Sequence, residues 1–198
     1  MISKSTNKNK IMIQNILTDY KTKITPIILG IINRPYKVFV WQPTFLGDSS
    51  EKAKIREETA FKEKQIKMRE GDIAQAMIGN WYGYEDLGIG HETGVDCRKL
   101  DNTQLLEIKN KWNTCNSGSS KTVKDKLAKY KNNNPNTECI WGIINPKSGV
   151  SGKTTPIQHN GVEILQLQGD DLFRKIFIID GYDYTNDVRN IVKNIMYN

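Results

Sequence analysis

The stretch Thr93–Lys121, "TGVDCRKLDNTQLLEIKNKWNTCNSGSSK", decides how the rest of the chain is read. Within it "LLEIKNK" places Glu107, Lys109 and Lys111 at alternate positions. Alternation of this kind sets all three side chains on one face of a strand. Ile108, between them, points to the opposite face and anchors the strand in a core. Upstream, Asp101-Asn102 supplies turn chemistry between two short runs, 94–99 and 103–111, which predicts an antiparallel hairpin. In that hairpin Asp96 and Glu107 converge on one face of the sheet.

Two carboxylates that meet resist ionising together unless a cation lies between them. An oxygen-only donor set points to a hard cation, Mg²⁺ first, with the Ile108 backbone carbonyl available as a further ligand. Lys109 lies about 6.6 Å along the strand from Glu107 at the usual rise per residue. An ammonium there can orient or activate a water, or stabilise charge on a phosphate. Such a set is suited to phosphodiester hydrolysis. A plain reading of the same residues is a solvated Glu–Lys pair on a strand face, which is common and worth little.

Gly94-Val95-Asp96, ten residues, then Glu107-Ile108-Lys109 resembles the PD-(D/E)XK nuclease motif, with Val95 where a proline is usual. The continuation Asn110–Ser120 narrows the resemblance. It is similar to a group of type II restriction endonucleases with a D-x10-(D/E)-I-K-N-K-x-N-T-x-N-S-x-S-S pattern, some of which cut GGNCC or GGWCC sites. By element order the likeness covers about residues 70–145, and its specific part is 94–120.

The resemblance implies a Mg²⁺-dependent enzyme that cuts double-stranded DNA at a short palindromic site. Asp96 and Glu107 are then the metal ligands and Lys109 the residue that positions or activates water. It also implies a further acid on the helix before the hairpin. Glu70 is the first candidate, with Asp72 and Gln75 left open. A palindromic site calls for a two-fold homodimer, and a companion methyltransferase would protect host DNA. The rivals are a structure- or mismatch-specific nuclease of the same fold and a catalytically silent DNA-binding module.

Other segments add candidate contacts. Asn113, Asn116 and Ser119 lie where the catalytic strand enters a helix, suited to base edges or to phosphates at a helix start, or to ordinary capping. Lys111 follows on the strand. The helix "SSKTVKDKLAKYK" (119–131), capped by Ser119 or Ser120, carries Lys121, Lys124, Lys126, Lys129 and Lys131 against one Asp125. That face suits a DNA backbone or plain solvent. The loop 147–160, ending in Gln158-His159-Asn160, and the aromatic "NWYGYED" (80–86) are candidate base readers. His159 is a general-base candidate, unneeded beside a metal. Trp112 and Trp141 read as packing residues.

Elsewhere the elements are conventional. A helical segment precedes a break at Pro26, and "VFVW" (38–41) reads as a strand. Two helices are expected at 50–69 and from Gly71 to Gly79, and a strand at 84–89. "ECIWGIIN" (138–145) is a strand buried on both faces, and "VEILQLQG" (162–169) an alternating one. Two terminal helices follow, the first capped by Asp170. The second carries Val188, Ile191, Val192 and Ile195 at helical spacing, a core or dimer face. The order predicts an α/β (α+β) domain, a mixed central sheet flanked by helices, spanning 11–198 behind a disordered basic tail, 1–10.

Composition sets outer bounds. The chain has 198 residues, 37% hydrophobic and 26% charged, enough for one domain with a real core. Lys and Arg number 29 against 22 Asp and Glu, a net +7 that favours a polyanionic partner. No apolar run is long enough to span a membrane, and the N-terminus lacks a secretory h-region. The three cysteines, Cys97, Cys115 and Cys139, show no paired spacing and read as free thiols in a reducing cytoplasm.

Overall fold

The computed structural model describes residues 2–38, 50–88, 90–111 and 117–197. Its centre is a six-stranded sheet in the order β1-β2-β3-β4-β6-β5. The strands are β1 (Tyr84–Asp86), β2 (Cys97–Lys99), β3 (Gln104–Lys111), β4 (Glu138–Asn145), β5 (Gly152–His159) and β6 (Val162–Gly169). β3, β4 and β6 run parallel, while β1–β2, β2–β3 and β5–β6 pair antiparallel. The predicted hairpin forms, its turn closed by Asn102 at φ 59°. The mixed sheet flanked by helices agrees with the expected fold class.

Alternation along the central strands sorts two cores. Leu106, Ile108, Ile140 and Leu167 face one way, against α1 (Ile2–Ile32), α2 (Glu51–Gly79), α4 (Asp170–Phe177) and α5 (Thr185–Tyr197). Leu105, Cys139, Trp141, Ile143 and Ile164 face the other way, against α3 (Ser117–Asn133). Both helical layers are needed because β4 is apolar on both faces, as its continuous hydrophobic run predicts. At Gly142 the missing side chain lets α4 approach; a Cβ there would lie 3.0 Å from the Leu172 methyls. Trp81, at the end of α2, ties the first core together. Its ring meets Tyr20 and Phe177 edge-on at 5.1 Å and Tyr184 at 5.3 Å.

Several expectations are corrected. α1 continues through Pro26, because Ile24 and Ile28 on either side are fully buried and their packing offsets the lost hydrogen bond. It begins at Ile2. The two helices expected before and after Gly71 are one, α2; a helical Gly costs only about 1 kcal/mol, and here it lies against Asn110.

The loop expected over 147–160 is largely strand β5. Asn160 and Gly161, at φ 49° and 79°, close its hairpin with β6, and Pro156 is tolerated on an edge strand. α3 starts at Ser117, so Ser119 and Ser120 lie inside its first turn rather than at its cap. Gly169, not Asp170, occupies the cap position of α4, and Asp170 instead pairs with Arg189 at 2.7 Å. A small hairpin, β7 (Ile178–Ile179) with β8 (Tyr182–Asp183), turns on Asp180-Gly181 in the same way. Of the strand expected at 38–41, all but Val38 lies outside the described residues.

Val188 and Val192 of α5 are buried in the first core, and Ile191 and Ile195 pack against it. Cys97 and Cys139 are free and buried, as expected of packing thiols, while Cys115 lies outside the described residues. Burial raises the thiol of Cys139 to about 11 and holds that of Cys97 well above its ordinary value, so neither is reactive. Among the described residues no helix is long and apolar enough to cross a membrane.

Candidate active site

β2 and β3 bring the candidate residues together. Cys97 pairs with Leu106, so Asp96 and Glu107 flank that pair at the open end of the hairpin. The Asp96 amide donates to the Leu106 carbonyl at 3.1 Å. Its Oδ2 accepts from the Ile108 amide at 2.6 Å. Both contacts use the edge of β3 that faces β2. A residue's N–H and C=O leave a strand on the same edge, so the Ile108 carbonyl also faces Asp96.

Glu107 shares its strand face with Leu105 and is only 4% exposed. Lys109 Nζ donates to its Oε1 at 2.6 Å. Its other oxygen, Oε2, is buried with no hydrogen-bond partner among the described residues. Burial, and then the nearby Glu107 carboxylate, hold Asp96 above the usual carboxylate range. The Ile108 amide, Lys109 and Lys126 act the other way and are outweighed.

A raised acid beside a buried oxygen without a partner leaves charge poorly compensated. The donor set is carboxylate and carbonyl oxygen alone, which suits a hard divalent cation. Asp96, Glu107 and the Ile108 carbonyl therefore fit such an ion. Among the described residues, no third His, Cys, Asp or Glu joins them as a metal-binding group.

The loop carrying Asp96 is held from α3. Lys126 Nζ donates to the Gly94 carbonyl at 2.7 Å. Gly94 has φ 65°, and the lysine chain lies where a Cβ would meet it at 3.5 Å. Lys126, on the helix face read as suited to a DNA backbone or to solvent, is thus turned to the backbone of this loop. Lys131 likewise binds the carbonyls of Pro135 and Thr137, at 2.8 and 2.7 Å. The exposed lysines of α3 are Lys121 and Lys129, with Lys124 half-buried. Ser119 is half-buried in the first turn, and Lys111 ends β3 beside Asn145. Asn113, Thr114, Asn116 and Trp112 lie outside the described residues.

The α2 candidates separate. Asp72 pairs with Arg34 at 2.7 Å. Gln75 Nε2 donates to Asp86 Oδ1 at 3.1 Å, on β1. Glu70 is exposed. His159 stands at the far edge of the sheet, its Nε2 2.6 Å from Asp125 Oδ1, and bridges β5 to α3 instead of serving the carboxylates. In "NWYGYED", Trp81 and Tyr84 are buried in the core, which removes them as base readers; Tyr82 remains exposed. Trp141 is buried, as a packing residue should be.

Asn110 was not singled out by the sequence. Its Nδ2 donates to the Lys67 carbonyl of α2 at 2.9 Å, and its Oδ1 accepts from Asn145 Nδ2 at 2.6 Å. Its place in "EIKNK" was the signal: an amide facing opposite to two lysines.

Comparison with known proteins extends this picture. The model of the family described as Eco47II restriction endonuclease matches residues 44–196, which include every strand of the sheet. The type II restriction enzyme Sau96I of Staphylococcus aureus is 34% identical over 87 residues, 43% of this chain. The aligned part spans 33% of that relative's length.

Proposed function

The chain belongs to the Eco47II restriction endonuclease family, and from that premise we propose that it is a type II restriction endonuclease. Its substrate is double-stranded DNA, cut at a short palindromic sequence with Mg²⁺ held by Asp96, Glu107 and the Ile108 carbonyl. The observation that carries this reading is the buried carboxylate of Glu107, held by Lys109 and flanked across the hairpin by Asp96.

When bound, the cation supplies Lewis-acid stabilisation of charge on the scissile phosphate. The protein's own residues do the rest. The Ile108 amide holds Asp96 Oδ2, so the carboxylate is aimed before substrate arrives. Glu107 Oε1 holds the Lys109 ammonium, limiting the freedom of a long side chain. Lys109 then orients the attacking water and donates to a non-bridging phosphate oxygen as the P–O bond to the leaving group breaks. Lys111, two residues on, meets a neighbouring phosphate. A palindromic site is read by a two-fold homodimer, each subunit cutting one strand, and a companion methyltransferase protects the host. A cytoplasmic place of action fits that pairing.

The test is incubation of purified protein with phage DNA, with Mg²⁺ or EDTA, followed by sequencing of the ends. Discrete Mg²⁺-dependent fragments sharing one end sequence, absent with Lys109→Ala, would support the reading and reveal the site. Smearing or structure-dependent nicks would favour a repair-type nuclease. Tight, salt-sensitive binding without cleavage would point to a silent DNA binder.

A further inference from the structure

We propose that the exposed face of α2 carrying Lys64 and Lys67 forms one wall of the DNA cleft and contacts backbone phosphates beside the scissile one. This deepens the DNA-cleaving reading above and rests on it.

The argument begins with how α2 lies on the sheet. Asn110, near the end of β3, donates to the Lys67 carbonyl at 2.9 Å. One turn on, Gly71 lies so close that a Cβ would sit 3.7 Å from Asn110 Cβ. Residues 67–71 are therefore level with the end of β3. From there the helix descends. Ile73, Ala74 and Ala76 to Gly79 are buried, Gln75 reaches Asp86, and Gly79 lies against Asp86. Asp86 is paired to Cys97 and Cys97 to Leu106, well below Asn110 on β3.

The other half of α2 must then run past the sheet. From Glu51 to Lys67 at the α-helical rise it extends about 24 Å. The part of the sheet it passes is the end of β3, closed by Asn110 and Lys111. Of this half, only Ala53 is buried among the described residues. A helix that buries so little of itself in its own fold has a face to present elsewhere.

An open groove of about 510 Å³ separates this half from the end of β3. Ala60, Lys64, Lys67 and Met68 line it from α2, and Asn110 and Lys111 from β3. Among the described residues Glu63 is the one carboxylate on its rim, against three lysines. Its link to Lys67 is 3.7 Å long and more than half exposed, a contact worth little that a phosphate can replace. Among the described residues no aromatic ring lines the groove. Lys64, Lys67 and Lys111 beside the apolar Ala60 and Met68 match a duplex backbone. Such contacts add affinity and register but carry no sequence information.

The experiment measures binding of a labelled duplex of about 30 base pairs and arbitrary sequence, in EDTA, across a NaCl series. Each lost phosphate contact lowers the slope of log K against log salt by about 0.9. Lys64→Gln/Lys67→Gln should therefore flatten the slope by about two, weaken binding roughly tenfold or more at moderate salt, and preserve the fold. Lys21→Gln/Lys193→Gln, which removes equal charge from α1 and α5, should leave the slope in place. An unchanged slope in the α2 variant, with wild type still binding and cutting DNA, would overturn the wall and spare the nuclease reading. Wild type that neither binds nor cuts would overturn both. Loss of a dimer by the α2 variant in sedimentation, without a change in slope, would make this face a subunit contact and overturn the proposal.

Discussion

The Ile108 amide donates to Asp96 Oδ2 at 2.6 Å, so the backbone of one strand of the hairpin aims the carboxylate that precedes the other. This contact works against burial and the Glu107 charge, which together keep Asp96 above its ordinary range. The site is thus built at some cost to stability, as functional sites often are.

Asp96→Asn tests that cost. The amide keeps an oxygen for the Ile108 N–H and removes a disfavoured charge. Cleavage should be lost, while the melting temperature at neutral pH, without divalent cation, should rise. A gain of about 1 kcal/mol would appear as about 2–4 °C in a chain of this size. A fall in melting temperature would show that the charge is compensated in the fold.

The raised acid also predicts a pH dependence. A carboxyl whose folded value lies above its unfolded one adds stability below the unfolded value, and that increment disappears as pH rises through the folded value. Cation binding runs in the opposite sense, because the ligand must be deprotonated. The Mg²⁺-induced rise in melting temperature should therefore grow with pH through the raised Asp96 value, and Glu107→Gln should abolish it. Thermal scans with Mg²⁺ and with EDTA over a pH series decide this.

Lys109 has two roles that variants can separate. Lys109→Met leaves Glu107, 4% exposed, without its ion-pair partner. Breaking a buried pair costs about 3 kcal/mol. Adding Glu107→Gln should recover most of that stability without restoring cleavage. Denaturant melts and a cleavage assay on the three proteins would show it. A double variant no more stable than the single one would place the cost elsewhere.

Two glycines of α2 should respond in opposite directions. Gly71→Ala meets only ordinary contact with Asn110 and should stabilise by about 0.5–1 kcal/mol, as in any helix interior. Gly79→Ala would place a Cβ 2.7 Å from Asp86 Cβ and 2.8 Å from its Cα, so β1 must shift. A marked loss of stability is expected there. Urea melts of the two variants provide the comparison.

What the sequence determined by itself is local. Period-two alternation marks β3 and β6, a continuous apolar run marks β4, and the Asp101-Asn102 turn marks the hairpin; together these bring Asp96, Glu107 and Lys109 to one part of the sheet. Such patterns are legible because strand geometry and turn φ values act over a few residues. The same kind of local signal stands at Asn160-Gly161 and Asp180-Gly181.

The tertiary structure decided what depends on distant partners. Pro26 and Gly71 sit inside helices because packing outweighs their local preference for a break. Lys126, one of five similar lysines on α3, is drawn to Gly94, thirty-two residues away in the chain. Trp81 is core rather than base reader because Tyr20, Phe177 and Tyr184 close around it. The line of α2 past the end of β3 follows from one amide, Asn110, reaching a helix carbonyl forty-three residues upstream. Spacing within a strand is encoded in neighbouring residues; the choice of a partner across the fold is made by burial and hydrogen bonding once the chain has closed.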